Sequence, residues 1–363
     1  MPSFKINEDI RYAETIDKSF YSDPQVWEAC KEKIFAKAWN YIGDAREMLS
    51  GNNNVFPFTL LEKYLDEPLL LVEQKDQLKC YPNICTHRGF KLVQNPGSYK
   101  KMTCAYHGRR FNMEGQMEHM PEFKEVEDFP RPCDHLSEVP LAEWRNCLFS
   151  SVNPKHEFSQ IAEVFDKYLG FLPFNEFRSA TEYNEDYIVN AHWALYLDNY
   201  LEGFHIPFVH NTLNSLIDYG KYTTEVFDHV VLQTGFSDGG AVKFDLPDDH
   251  PYAGRDVTAF YFWAFPNFMI NCYPWGIQYN VVKPITPERT RVKFIYYVWD
   301  QEIFELMEAT KLAEKTERED EFVVEEVHKG IHSRFYNSGR FSAKREKGVH
   351  YFQSLVSKYL NDE

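Results

Sequence analysis

The sequence predicts an α+β chain: a small all-β domain joined to a larger α+β domain with a central antiparallel sheet flanked by helices. Three observations carry this expectation. Short β-type runs separated by polar turns fill 41–155, punctuated by Gly89, Gly97, Gly108 and Gly115. From 156 to 363, helix-period stretches alternate with strand-like runs. The length of 363 residues corresponds to about 2.4 domains of roughly 150 residues, ample to bury a core without disulfides.

Each element has a local reason. In 23–39, Val26, Cys30, Ile34 and Ala38 recur at helical spacing. A lone helix cannot bury its own face, so 1–40 is expected to pack on the larger domain. Pro68-Leu-Leu-Leu-Val72 and Leu78-Lys-Cys-Tyr81 read as strands around the turn Gln74-Lys-Asp76. Helices are expected at 158–169, 193–206 and 302–330, and strands at 257–265, 278–283 and 291–299. The expected domains are therefore 1–40 as a helical segment, 41–155, and 156–363.

Composition excludes several classes. Apolar residues are 44% and charged residues 26%, an ordinary globular mix. No run of about 18 apolar residues is present, so no membrane span is expected. The N-terminus lacks a basic-then-apolar leader, which suggests a cytoplasmic protein. A formal net charge of −16 argues against nucleic-acid binding and suits a docking partner with a basic patch. Aromatic residues reach 17%, enough to wall an apolar pocket as well as a core.

Seven cysteines are scattered without a disulfide framework. Two of them sit in matched loops, Cys85-Thr-His87-Arg-Gly and Cys104-Ala-Tyr-His107-Gly. Each loop pairs a thiolate with an imidazole and ends in a glycine that lets the backbone turn tightly. Four unrelated core residues would show no such match. A structural Cys2His2 zinc site usually groups its cysteines apart from its histidines. A Rieske [2Fe–2S] centre mixes them as here, with two histidines replacing two cysteines on one iron.

A second constellation lies in the larger domain. On a helix through 193–206, Trp193, Leu197, Tyr200 and Phe204 form one stripe, while Asp198, Glu202 and His205 fall on another face. On a straight helix, His205 and His210 would point about 140° apart. Pro207 disfavours helix at Ile206, so a break there lets both imidazoles face one point. In 302–330, Ala309, Ala313, Thr316, Asp320, Val323 and Val327 follow a 4-3-4-3-4 rhythm, which places Asp320 on the core-facing stripe. The charged Glu317, Arg318, Glu319 and Glu321 fall off it. A buried carboxylate is costly unless paired or bound to a metal. Two histidines and one carboxylate make a facial triad for non-haem iron(II), with positions left open for oxygen and substrate.

The two Cys/His loops resemble the Rieske family as that family writes them. The resemblance implies that Cys85 and Cys104 bind one iron and that His87 and His107 bind the other. Arg109 stands where the oxygenase branch usually has Trp, which is expected to alter the docking surface of the cluster. The run Asp198-Asn-Tyr-Leu-Glu-Gly-Phe-His-Ile-Pro-Phe-Val-His210 resembles the iron-binding motif of Rieske non-haem iron oxygenase α subunits. Arg318-Glu-Asp-Glu-Phe-Val-Val-Glu-Glu-Val-His-Lys-Gly330 resembles that family's acid-ligand helix. By this resemblance His205, His210 and Asp320 hold mononuclear Fe(II), and Glu202 and Asp198 are the acids of the catalytic machinery. Glu202 is expected to hydrogen-bond a cluster histidine, His107, of a neighbouring subunit in a head-to-tail homotrimer. His192, Ala194 and His328 depart from the family's usual Asn, Lys and Gln. A separate NAD(P)H-dependent reductase or ferredoxin is implied as electron donor, because no G-x-G-x-x-G fingerprint and no plant-type ferredoxin tail is present.

The aromatics Tyr261, Phe262, Trp263, Phe265, Phe268, Tyr273, Trp275 and Tyr279 suit a sheet core, or a cage for a methylammonium group. The stretch 265–284 and the glutamate at 202 resemble the choline, betaine and carnitine oxygenases, which implies O2-dependent monooxygenation of a quaternary ammonium compound. The alternatives are an aromatic-ring hydroxylating dioxygenase or demethylase, and an electron carrier without oxygenase activity.

Overall fold

The computed structural model describes residues 2–215, 217–237, 239 and 241–362. The chain divides into two compact units, 35–155 and a second formed by 1–34 together with 156–363. Among the described residues, no helix is long and apolar enough to cross a membrane.

The smaller unit holds nine strands: β1 Asn40–Asp44, β2 Val55–Leu60, β3 Glu67–Gln74, β4 Gln77–Pro82, β5 Met102–Thr103, β6 Arg110–Phe111, β7 Met117–His119, β8 Leu141–Trp144 and β9 Cys147–Ser150. They form three antiparallel sheets, ordered β1-β9-β8, β2-β3-β4 and β5-β6-β7. The apolar run in β3 serves two cores at once. Side chains alternate along a strand, so Leu70 and Val72 pack with Tyr81 and both loop cysteines, while Leu71 turns to Met48 and Leu148.

The larger unit is built on one antiparallel sheet of eight strands: β10 Arg178–Ser179, β11 Glu185–Val189, β12 Thr223–Phe227, β13 Val230–Phe236, β14 Val257–Ala264, β15 Phe268–Tyr273, β16 Gly276–Thr286 and β17 Arg289–Val298. The order is β10-β17-β16-β15-β14-β13-β12, with β11 also paired to β17. Consecutive strands from β12 to β17 are neighbours, and tight turns set the register everywhere except between β13 and β14, which are joined by the longer connection 237–256. One face carries Phe262 and Phe268, which pack on Phe165 of the helix Phe158–Leu169 at ring distances of 5.5 and 6.5 Å. The opposite face carries a polar row in which Gln233, Tyr261, Asn271, Gln278 and Tyr296 pair in sequence from β13 to β17.

The helices depart from the sequence expectations in instructive ways. The first is helical over Pro24–Lys33 only, followed by a 3₁₀ turn at Phe35–Lys37. The helix expected at 193–206 ends at Tyr200, and Ile206–Val209 is a separate short helix with Pro207 in its first turn. Proline is tolerated there because its missing N–H would be unpaired anyway. The break therefore precedes Pro207 instead of being caused by it. The helix expected at 302–330 is two, Gln301–Leu306 and Ala309–Ile331, separated at Glu308 with φ +45°. In the longer one the buried side includes Ala309, Glu317, Val324, His328 and Ile331, whereas Val327 is 45% exposed. A period of 3.5 residues drifts by about 20° per heptad against a real helix, which is why the inferred stripe slips off Val323 and Val327 and misses Glu317.

Deleting the Phe165 ring, which is fully buried between helix and sheet, is expected to cost about 3–5 kcal/mol. Urea denaturation of Phe165→Ala, followed by circular dichroism, measures it.

Candidate active site

The two Cys/His loops of the smaller unit are closed in the same way. Gly89 N–H donates to the Cys85 carbonyl at 2.8 Å, and Gly108 N–H donates to the Cys104 carbonyl at 2.9 Å. Both glycines adopt φ near +70°, at +67° and +74°, a region that favours glycine. Cys85 N–H and Cys104 N–H donate across their loops to the carbonyls of Phe90 and Arg109, each at 2.8 Å. The thiols are buried while His87 and His107 lie half-buried with ring centroids 4.9 Å apart.

This donor set fits a [2Fe–2S] cluster. Burial pushes the Cys85 thiol above its ordinary value, and the neighbouring Cys104 thiol pushes the same way. Two adjacent buried sulfur ligands suit a cationic iron pair, which takes both as thiolates. Desolvation lowers His87, helped by His107 and Arg109, which favours the neutral imidazole that a metal ligand needs.

Arg109 corrects an expectation. It is 2% exposed, so it is no part of a docking surface. Its Nη1 donates to Thr86 Oγ1 at 2.7 Å and lies 3.3 Å from Asp134 Oδ1, and its guanidinium lies over Phe123 and Phe129. A flat cation can occupy a space suited to a flat ring when its charge is paired. It ties the second loop to the first.

In the larger unit, His205, His210 and Asp320 converge. His205 Nε2 and His210 Nε2 are 3.1 Å apart. Asp320 Oδ1 lies 3.0 Å from His210 Nε2 and 3.6 Å from His205 Nε2. Among the described residues they form the one group of three or more potential ligands whose atoms lie within 4.8 Å of one another. The helix break produces this. After Tyr200 the chain leaves the helix, His205 starts the short helix, and His210 ends it at φ −106°, ψ 74°.

Each ligand atom is backed from behind. Glu202 Oε1 lies 2.6 Å from His205 Nδ1, Glu319 Oε2 lies 2.7 Å from His210 Nδ1, and Asn199 Nδ2 donates to Asp320 Oδ1 at 2.7 Å. A carboxylate at Nδ1 holds the proton there and leaves the Nε2 lone pair aimed at the shared point. Burial pulls His210 down, but hydrogen bonds to Asp320 and Glu319 raise it above its ordinary value, so the pocket favours a cation at this point; two imidazoles and one carboxylate around one small space fit a mononuclear divalent iron.

Of the two expected catalytic acids, Glu202 lies in this array and lines the cavity beside it. Within its own chain it is committed to His205: Oε2 also accepts from the Phe204 N–H, and from the His205 N–H at 3.1 Å. Asp198 does not join the group. It accepts from Tyr21 Oη at 2.8 Å and Gln353 Nε2 at 3.0 Å, and desolvation pushes it up to about 7. Successive helical residues differ by about 100°, so Asn199 turns to the ligands while Asp198 turns to the N-terminal segment and the C-terminal helix Lys347–Asn361. His192 and His328 lie outside the cavity lining as well. His192 Nδ1 caps the helix Trp193–Tyr200 by accepting from the Ala194 N–H at 3.3 Å.

A cavity of about 120 Å³ lies beside the ligand group. Of the aromatics singled out in the sequence, Tyr261, Tyr273 and Trp275 line it, joined by Tyr196, Tyr200 and Tyr222. Phe262, Trp263, Phe265, Phe268 and Tyr279 are core. Burial holds Tyr200, Tyr222 and Tyr273 well above the ordinary phenol value, so these rings stay neutral. Glu319, Asn199, Glu317 and Tyr222 escaped the sequence reading. Only Glu319 had a signal, since a ligand histidine needs an acceptor at its second nitrogen.

The chain matches the ring hydroxylating alpha subunit (catalytic domain) family over residues 176–362 and the Rieske [2Fe-2S] domain over 38–130. It belongs to the ring-hydroxylating alpha-subunit family and is a Rieske-type oxygenase, with a Rieske [2Fe–2S] domain and a catalytic domain of the kind that uses mononuclear iron. It is 27% identical to the carnitine monooxygenase oxygenase subunit of Escherichia coli K12, over 99% of both chains. It is 26% identical to the chloroplastic choline monooxygenase of Arabidopsis thaliana, over 96% of this chain and 83% of that protein. Its structure resembles the quaternary ammonium Rieske monooxygenase CntA in complex with an inhibitor (TM-score 0.77, 25% identity, 99% and 100% of the chains). Naphthalene 1,2-dioxygenase from Rhodococcus sp. shares the fold (TM-score 0.71, 14% identity, 95% and 94%).

Glu319→Ala is expected to weaken retention of mononuclear iron about 10–100-fold with the visible absorption of the cluster unchanged; competition against a chromophoric Fe(II) chelator reads both. A second expectation concerns acid stability. Burial holds His192 down to about 3, against an ordinary 6.5. Between these values the unfolded chain binds a proton that the folded chain does not, so stability falls as pH drops from about 6.5 toward 3. His192→Asn keeps a helix-capping side chain and is expected to flatten this loss in denaturation curves taken across that range.

Proposed function

We propose that this chain is the terminal oxygenase of a multicomponent system that monooxygenates a small quaternary ammonium compound of the choline, betaine and carnitine type. The observation that carries this is the cavity beside His205, His210 and Asp320, walled by seven neutral aromatic rings, Tyr196, Tyr200, Tyr222, Tyr261, Tyr273, Trp275 and Phe294. A methylammonium group binds over such faces. The choline and carnitine monooxygenases among its relatives support the same reading.

In this reading His205, His210 and Asp320 hold the mononuclear iron. Cys85 and Cys104 hold one iron of the cluster, and His87 and His107 hold the other. The two centres, when bound, supply the electron transfer and oxygen activation that the reaction needs. The chain's own residues do the rest. The tyrosines and Trp275 exclude water and hold the onium group. Glu202 and Glu319 keep the Nδ1 protons of His205 and His210 in place. Asp198 positions the helix Trp193–Tyr200 against Tyr21 and Gln353.

Oxygenases of this class require a separate electron donor; here we take it to be an NAD(P)H-dependent reductase or a ferredoxin, with the protein acting in the cytoplasm. We also take it to assemble as a homotrimer in which His107 of the partner subunit reaches Glu202. The CntA structure, described as revealing inter-subunit electron transfer, supports that arrangement.

Isolated enzyme is expected to carry about three irons per chain, two in the cluster and one mononuclear. Reduced enzyme is expected to consume O2 in step with product from choline, glycine betaine or carnitine, and not from naphthalene or benzoate. Product from the aromatics alone would replace this reading with ring hydroxylation, and about two irons per chain without turnover would leave an electron carrier.

A further inference from the structure

Among the described residues, Arg109 is the one lysine or arginine almost completely withdrawn from water, at 2% exposed. The two cluster loops fix its place. It follows the second loop directly, and its carbonyl accepts the Cys104 N–H at 2.8 Å. Its Nη1 reaches the first loop at Thr86 Oγ1, 2.7 Å away, on the residue between Cys85 and His87. Phe123 touches both sides: its ring lies 5.6 Å from the His87 ring and 5.7 Å from the guanidinium carbon. Phe123 and Phe129 also pack on the core that contains Cys85 and Cys104. The cation is thus set against the ligand loops in an apolar surround, where water screens it little.

The charge is only partly answered. Asp134 Oδ1 lies 3.3 Å from Nη1, a single contact instead of the two-pronged pairing a guanidinium can make. The other oxygen of Asp134 accepts the Arg131 N–H at 2.8 Å. Asp134 is 15% exposed and so meets water that Arg109 does not. Arg109 Nε is buried with no hydrogen-bond partner. Glu122, Glu125, Glu127 and Asp128, a little further along the chain, are exposed, and there water and salt screen them.

Reduction changes the charge of the cluster. Two ferric ions, two sulfides, two thiolates and two neutral imidazoles sum to zero. One electron from the donor makes one iron ferrous and the cluster an anion, with no bond broken. A fixed cation beside it stabilises the reduced form and leaves the neutral oxidised form nearly untouched.

Resting on the ligand assignment above, we propose that Arg109 sets the reduction potential of the cluster: its guanidinium is the counter-charge for the reduced state, and Asp134 moderates it. The cluster then accepts its electron from a less strongly reducing donor than a cluster without the cation would need.

The test is the midpoint potential of the cluster in the anaerobic holoenzyme, measured by spectroelectrochemistry. The electron paramagnetic resonance spectrum of the reduced state checks that the cluster and its ligands are intact. Arg109→Gln is expected to make the cluster about tenfold harder to reduce, a fall of about 59 mV for a one-electron couple. Arg109→Lys keeps the charge and is expected to stay within about threefold of the wild-type equilibrium. Asp134→Asn keeps an acceptor for Arg109 but removes the moderating charge, and is expected to make reduction about threefold easier. Loosened loops alone would admit water, which also favours the charged reduced form, so a fall in Arg109→Gln is the reverse of what a purely structural staple gives. A potential unchanged or raised in Arg109→Gln would overturn the proposal, as would one unchanged or lowered in Asp134→Asn. The second variant decides alone if the first fails to hold its cluster. A wild-type reduced cluster with no hyperfine coupling to histidine nitrogens would overturn the ligand assignment and this inference with it.

Discussion

Two imidazoles and a carboxylate can meet at one point in this protein only because the chain stops being helical between Tyr200 and Ile206. A continuous helix would carry His205 and His210 to different sides. The break costs backbone hydrogen bonds, and the side chains around it recover them: Glu202 accepts from the N–H groups of Phe204 and His205. The same carboxylate then holds the His205 ring. One residue thus satisfies the loose backbone and aims the ligand, which couples the local fold of this segment to the chemistry of the site.

The long helix supplies the other half. Its residues 317, 319 and 320 have three separate tasks: Glu317 faces the cavity, Glu319 holds His210, and Asp320 completes the ligand group. Neighbouring positions on a helix point about 100° apart, so three acids within four residues can serve different sides of a site instead of merely facing solvent. Opposite it, the polar row of the sheet is closed on itself through Tyr200, Asn271, Gln278 and Tyr296. Such a network stiffens a wall without offering its hydrogen bonds to a ligand.

How far the sequence could be read follows from these facts. The Cys/His loops were legible because metal chemistry dictates residue type and close spacing, and Gly89 and Gly108 mark the turns. The His205–His210 pair and Asp320 were legible through motif and period. Glu317 and Glu319 were not, because a charged residue on a helix is usually a solvated one, and a rhythm of 3.5 slips against the true 3.6. Pro207 points to a helix break later than the real one, because proline is at home in a first helical turn and starts the short helix instead of ending the long one. The charge of Arg109 suggests a place at the surface; Phe123, Phe129 and Asp134, which permit its burial, lie too far along the chain from it for any local pattern to show. The aromatics of 257–299 divided between cavity and core by strand alternation, which sorts Tyr261 and Tyr273 from Phe262 and Phe268 once the register is known.

Asp198 and Glu317 show how such a structure separates support from function. Both are acids withdrawn from water, and burial raises both above the carboxylate range. Asp198 receives hydrogen bonds on both oxygens, from Tyr21 and Gln353, and so closes a joint between three segments of chain. Glu317 receives one, from Tyr196, and leaves the other oxygen without a partner at a cavity wall. The first arrangement is what stability alone favours, since a buried polar group is best fully paired. The second is worse for the empty protein than either pairing the oxygen or replacing the side chain by an apolar one of similar size.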